Sequence, residues 1–411
     1  MIRFLTSTFD IHVIDIRYSQ FSTDCFDNDD NFQYKFLGSG LSGLGIYRGN
    51  MLEIEAITDQ VLKNCDISDS QHAGFYSICG LALRLRDLYK WEKGIDPWIE
   101  KDSSEILEWI EDKEQQWDTL TERHFEDIAI FGKTYDPFDT KKINAVLESY
   151  GVIYGCGYAY SLKPTFFLAK IEDKKEIDGY TVYILGRELA RDLLTIPALS
   201  QDDCVLIRKE PAKLFFWDQI LYLKKSGRFA LEFALANYGL NEKNLKEVQH
   251  SLEKIVTDEM GRYIYHELGE IQDTIFNRHT WREIIATFPH TPIELVARSI
   301  KDLLADTNEY GTLRFIIRER RASSLAFYVA FIDGLIKELF PEIRHAFKEF
   351  LNTRDWNVIE NAVDIGFRTA QGYAEKMSHI YQSGKQKNNV KWAEKEMEKN
   401  LLKPLGIVGR T

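Results

Sequence analysis

A chain of 411 residues with 44% hydrophobic and 28% charged content can bury a large core in two or three domains. Its 20 Tyr, 25 Phe and 8 Trp exclude disorder as its general state. The net charge of -12 at pH 7 argues against non-specific nucleic-acid binding, which needs a basic face to displace phosphate counterions.

Residues 1–68 read as strand-rich, with β-branched and aromatic runs at Phe4–Ile16, Phe32–Leu37 and Leu44–Tyr47. Arg48-Gly49-Asn50 reads as a hairpin turn leading into Met51–Ile57. Gly38, Gly40 and Gly43 have the spacing of a dinucleotide-binding turn. That turn must open a helix, and the hairpin reading of Ile46–Ile57 makes a bulged β-loop the better expectation. Asp10, His12 and Asp15 stand where a signal peptide would be apolar. The five cysteines form no Cys-x-x-Cys pair, which argues against a disulfide framework or a zinc ribbon. No apolar run is long enough to span a bilayer, so a soluble cytoplasmic protein without membrane contact is expected.

Residues 69–127 read as helical. Ser68 and Ser70 are candidate caps for a helix through Leu88, and Ser103 or Ser104 starts a second one carrying Ile106, Leu107 and Ile110. In the first helix Arg84, Arg86, Asp87, Lys90 and Glu92 interleave with leucines and Trp91. Such a pattern fits an ion-paired, half-buried helix better than a base-stacking surface. The acidic stretch 102–126 is a solvated face or the place where a protein partner docks.

Residues 128–227 read as a mixed α/β region. Val152–Tyr160, Thr165–Lys170, Tyr180–Leu185 and Cys204–Arg208 are expected strands, 172–179 a charged hairpin tip and Arg187–Leu194 a short helix. Gly132-Lys133-Thr134 is not a P-loop, because position 127 is Asp where that motif needs Gly. From 228 to 411 the pattern is that of a helical domain, with helices over Asn241–Phe276, Ile293–Leu304, Thr312–Phe340, Ile343–Leu351 and Val358–Gln382 and a lysine-rich terminal helix. The fold class expected is α+β, predominantly helical, with N-terminal and middle β-containing regions and a C-terminal all-helical domain.

The chemistry gathers in that last domain. Met260, Ile264, Leu268, Ile271 and Ile275 form an apolar stripe, and His266 falls opposite it beside Glu259, Arg262, Glu270 and Asp273. His266-Glu267-x-x-Glu270 sets an imidazole and a carboxylate one helical turn apart, a spacing that suits a divalent metal ion. It resembles the His-Glu-x-x-His of metalloproteases over five residues, with Glu270 where the second histidine would stand. On this reading His266, Glu270 and Glu259 hold the metal and Glu267 activates a water. Gly261 and Gly269, each costing ~1 kcal/mol relative to Ala in a helix, point to close approach by a backbone or a ligand. Two Glu-x-x-His pairs, Glu247/His250 and Glu342/His345, are no more than chance supplies.

Arg314, Arg318 and Arg321 make a second stripe, able to hold a phosphate or carboxylate cofactor or to neutralise Glu259, Glu267 and Glu270 from a facing helix. If the two clusters face each other they form one polar pocket. The function expected is a metal-dependent hydrolase. The alternatives are a non-catalytic interaction protein, in which the His/Glu/Arg cluster is a structural ion-pair network, and a small-anion sensor that uses the arginines.

Overall fold

A long helix, α1 (Gly43–His72), opens the part of the chain that the computed structural model describes, residues 43–241 and 243–407. It takes in residues 44–57, where a hairpin is expected. Ile57, Val61 and Cys65 recur every four residues and are all buried, so the β-branched residues there serve a helical face that packs on the sheet. Phe4–Ile16, Phe32–Leu37, Gly38 and Gly40 lie outside the described residues. A helix does follow Gly43, but α1 leads to further helices and not to a parallel strand, so the surroundings of a dinucleotide turn are not found among the described residues.

Ser68 and Ser70 sit inside α1 and cap nothing; the Ser68 hydroxyl donates to the Pro164 carbonyl. The cap of α2 (Ile78–Glu92) is Ser77, whose hydroxyl accepts from Gly80 N at 3.1 Å, and α3 (Ser103–Asp118) is capped by Asp102. A two-stranded ladder, β1 (Ile128–Ile130) with β2 (Lys133–Tyr135), and the short helix α4 (Thr140–Leu147) lead to the main sheet.

That sheet has five strands: β3 (Val152–Tyr158), β4 (Pro164–Ile177), β5 (Tyr180–Arg191), β6 (Ala198–Gln201) and β7 (Cys204–Arg208). Their order is β3-β4-β5-β7-β6, antiparallel except for β5 against β7. The expected charged tip is shorter than 172–179. β4 runs to Ile177 opposite Tyr180, and the turn is Asp178-Gly179, with φ of 52° and 85°. The helix expected over Arg187–Leu194 is replaced by the end of β5. Glu188, Ala190 and Arg191 pair with Ala169, Leu168 and Phe167 across a bulged register, and this pairing overrides the helical propensity of Arg-Glu-Leu-Ala-Arg.

Helices follow: α5 (Lys209–Tyr222), α6 (Lys225–Ala236), α7 (Leu245–Ile271), α8 (Arg278–Thr287) and α9 (Pro292–Thr307). The expected helix over Thr312–Phe340 is three, α10 (Thr312–Arg318), α11 (Ala322–Phe331) and α12 (Gly334–Leu339), separated by positive φ at Arg320 and Gly334. Then come α13 (Glu342–Thr353), α14 (Trp356–Gln386) and α15 (Val390–Met397). The core of this half is α11, buried from Ser324 to Phe331 and packed on α6, where Gly227 lets the Ala330 carbonyl approach. Helix α7 lies between β6 and β7 on one side and α9 and α10 on the other. The molecule is thus α+β and predominantly helical, with its sheet in the N-terminal and middle region and helices toward the C-terminus. No helix among the described residues is long and apolar enough to cross a membrane.

Candidate functional site

The apolar stripe expected on α7 is there, with Ile264 and Leu268 buried, but so is the face opposite it. Glu259, Arg262, His266, Glu267 and Glu270 are all under 9% exposed. The reason is α9, which lays Lys301, Asp302 and Asp306 against α7, all buried as well, while Glu294 and Arg298 earlier on α9 meet Ser161, His290 and the Ala159 carbonyl. His266 Nδ1 donates to Asp306 Oδ1 at 2.8 Å, and Tyr328 donates to the other Asp306 oxygen at 2.9 Å. Lys301 reaches Asp273 at 2.8 Å, and Arg298 reaches Glu294 at 2.9 Å. Ser200 on β6 hydrogen-bonds Glu267 through backbone and hydroxyl, which ties the seam to the sheet. Gly269 is where α7 meets the backbone of the next element, since a Cβ there would overlap the Ala305 carbonyl.

Around His266 the carboxyls of Glu267, Glu270, Asp302 and Asp306 crowd together, with Lys301 and Arg278 acting on Glu270 and Arg298 on Asp302. Buried charge without a partner is costly, so burial favours the protonated form of the least-matched carboxyls. Burial raises Glu267, helped by the nearby Glu270, and it raises Glu270 and Asp302 in the same way. Glu259 is also raised by burial, opposed by Arg262 and the Ser324 hydroxyl. Burial alone would lower His266, but the Asp306 carboxylate and its hydrogen bond outweigh that and push it up to about 10. The same pair holds Asp306 below its ordinary range against burial.

The expected site residues divide accordingly. His266 and Glu270 keep their one-turn spacing, but His266 turns Nδ1 to Asp306, and Glu270 lies in the field of Lys301. Glu259 is bound by Ser324 at 2.8 Å and faces Arg262. Among the described residues no three His, Cys, Asp or Glu side chains are grouped to hold a metal ion. Arg314 and Arg318 do not join this cluster, whereas Arg321 reaches Glu259 through Ser324. Arg314 pairs with Asp364 at 2.5 Å and Arg318 with Glu319 at 3.2 Å, both at the surface, while Arg321 donates to Ser324 and to the Asp258 carbonyl. The arginine beside His266 is Arg262. With Asp302, Asp306, Thr312 and Tyr328 these two line a cavity of about 20 Å³, room for one water. The α9 carboxylates were missed in the sequence although Glu294, Arg298, Lys301, Asp302 and Asp306 repeat at helical spacing inside an apolar segment, the available signal.

The large cavity lies elsewhere. A cleft of about 390 Å³ opens between α2 and the end of β5 on one side and α5, α6 and the end of α11 on the other. Arg84, Asp87, Arg191 and Asp192 come from the first wall; Phe215, Ala330 and Phe331 come from the second. Arg86 bridges the two walls weakly, at 3.4 Å from the Tyr222 hydroxyl.

Most charges in the cleft are matched. Arg86 pairs with Asp87 at 2.9 Å, Lys224 with Asp333 at 2.5 Å, and Asp192 with the buried Lys163 at 3.0 Å. Two are not. Arg84 stacks on Tyr76 and donates one long bond, 3.3 Å, to the Leu193 carbonyl; among the described residues it has no carboxylate within ion-pair range. Arg191, 4% exposed, shares Glu188 with Arg208. Glu188 sits 2.6 Å from Arg208 but 3.7 Å from Arg191; Arg191 also donates from Nη2 to the Asp87 carbonyl at 3.0 Å and lies over the Trp91 ring, while its Nε has no hydrogen-bond partner. Burial pulls Arg191 below the ordinary arginine range against the pull of Glu188. The sequence expectation of an ion-paired helix at 83–92 describes Arg86 and Lys90 but not Arg84.

Residues 56–208 match the N-terminal domain, and residues 213–400 the C-terminal domain, of a family of unknown function (DUF6866). No curated protein and no solved structure matches the chain. The two matched stretches adjoin across the first turn of α5, and the cleft takes one wall from each.

Proposed function

We propose that the chain, which carries the N-terminal and C-terminal domains of the DUF6866 family, is a small-molecule-binding protein whose ligand occupies the cleft between them. The observation that carries this reading is the 390 Å³ cavity itself. It falls in the size range of ligand sites, roughly 300–1,000 Å³, and combines apolar walls with a few converging polar groups at a domain junction. The His266 cluster supports a structural role. Its cavity of about 20 Å³ has room for one water and no substrate, and His266 is held by Asp306. A metal-dependent hydrolase built on His266, Glu267 and Glu270 keeps the spacing in its favour but lacks the room.

The test is to fill the cleft. Thr195 lines it from the loop after β5, away from the buried seam. Wild-type protein is expected to bind a neutral solvatochromic dye such as Nile red saturably. The Thr195→Trp variant, folded with an unchanged melting temperature, is expected to lose that binding by about tenfold or more. Equal dye affinity in the two proteins would remove the cleft from consideration.

A further inference from the structure

We infer that the natural ligand of this cleft is an amphipathic monoanion, a carboxylate head on an apolar body, with the head held by Arg84 and Arg191. The inference rests on reading the cleft as a ligand site and adds the chemical class of what fills it.

A guanidinium taken out of water is stable only when its positive charge and its N–H groups are met. Arg84 and Arg191 both line the cavity, and both are under-matched where Arg86 and Lys224 are not. Arg191 is almost wholly buried, yet its closest carboxylate belongs more to Arg208. Asp218, also in the wall, has a partner of its own. The lining carries four cationic and four acidic side chains, so what stays open in the cleft is hydrogen-bonding capacity, on the Arg84 fork and at Arg191 Nε. Arginine meets a planar carboxylate with two parallel hydrogen bonds, which is the geometry that would satisfy these forks.

The surroundings limit the ligand's charge. Asp87, Asp192, Asp218 and Asp333 also line the cavity, and a dianion such as a phosphate monoester would feel all four. One negative charge meets the open N–H groups of Arg84 and Arg191 at a smaller penalty.

The shape of the site supplies the rest of the ligand. Both under-matched arginines stand on the N-terminal domain. The C-terminal domain contributes Leu214, Phe215, Ala330, Phe331 and Ile332. A molecule with a charged head and an apolar body would put its head on one domain and its body on the other. Burying that body adds about 0.8 kcal/mol per CH₂, which is where affinity would come from while the head sets orientation.

Competitive displacement of Nile red tests the class. Four ten-carbon probes are used (decanoate, decanol, decyl phosphate and decyltrimethylammonium) on wild-type, Arg84→Met and Arg84→Lys protein. Arg84 is half-exposed and makes no ion pair, so both variants should fold, and melting temperatures check that they do. Decanoate is expected to bind wild type about tenfold or more tighter than decanol, and tighter than decyl phosphate; the ammonium should be weakest. The decanoate preference should fall to about threefold or less in Arg84→Met and be partly kept in Arg84→Lys, with decanol unchanged throughout.

Decanol displacing the dye as well as decanoate, or the ammonium binding best, would overturn the anion class while leaving the cleft as a ligand site. Tighter binding of decyl phosphate would overturn the monoanion. Displacement by none of the four would overturn the amphipath. A wild-type protein that binds no dye would overturn the cleft reading itself, and this inference with it.

Discussion

His266 and Asp306 set the terms at the scale of single residues. Their hydrogen bond raises His266 to about 10 from an ordinary value of 6.5. A histidine raised on folding contributes stability that is fully present below its unfolded value and lost as pH climbs through the folded one. Glu267 moves the same way for a different reason. Burial lifts it to about 8 from 4.5, so its neutral form belongs to the fold, and stability falls as pH rises from 4.5 through 8. The melting temperature should therefore decline from pH 6 to pH 10. Glu267→Gln keeps the acceptor for Ser200 and removes the titration, so it should flatten the part of the decline below pH 8 and be at least as stable as wild type at pH 8. A wild-type profile that is flat, or a Gln variant that loses stability at pH 8, would contradict the protonated assignment. The sequence singled out His266, Glu267 and Glu270, and it read the two glycines beside them as marks of close approach. Asp306 could not be paired with His266 in advance, because 40 residues and a helix crossing separate them. The apolar stripe also suggested that one face of α7 is wet, whereas both are covered.

Among the elements, α7 and α9 show how a helix–helix contact depends on a missing side chain. Gly269 stands where a Cβ would overlap the Ala305 carbonyl and touch Gly311, both of them backbone atoms that cannot swing aside. Alanine gains ~1 kcal/mol in helix propensity, but forcing α7 and α9 apart costs typically 1–3 kcal/mol or more in a packed interior. Gly269→Ala should accordingly lower stability by up to about 2 kcal/mol net. Gly74→Ala, where a Cβ meets nothing within 4 Å, should be near neutral. Equal denaturant midpoints for the two variants would show that this close approach carries no energy. Helical periodicity made α7, α9, α13 and α14 legible to within a few residues. It failed at α1 and at the end of β5, in opposite directions. Met51–Ile57 reads as a strand in a region expected to be strand-rich, yet Ile57 belongs to the helical series Ile57, Val61 and Cys65, and the charged Arg-Glu-Leu-Ala-Arg reads as helix although its pairing with β4 decides it.

For the molecule as a whole, the two family domains share a cavity, and that junction could not be read from periodicity. Arg84 sits in a segment that reads as an ordinary ion-paired helix, Arg191 in one that reads as a different element, and Phe331 more than a hundred residues further on. Only the packing of α2 and β5 against α5, α6 and α11 brings them together. A ligand that touches both domains stabilises the folded chain by mass action, and its footprint should be confined to the walls it joins.

Hydrogen–deuterium exchange of the wild-type protein with and without saturating decanoate reads that footprint directly. The account predicts slowed exchange in segments 83–88, 191–196, 214–227 and 330–333, with little change across 259–273 and 301–312. Protection centred on 259–273 and 301–312 instead would place the ligand at the His266 cluster and contradict the assignment of the interdomain cleft.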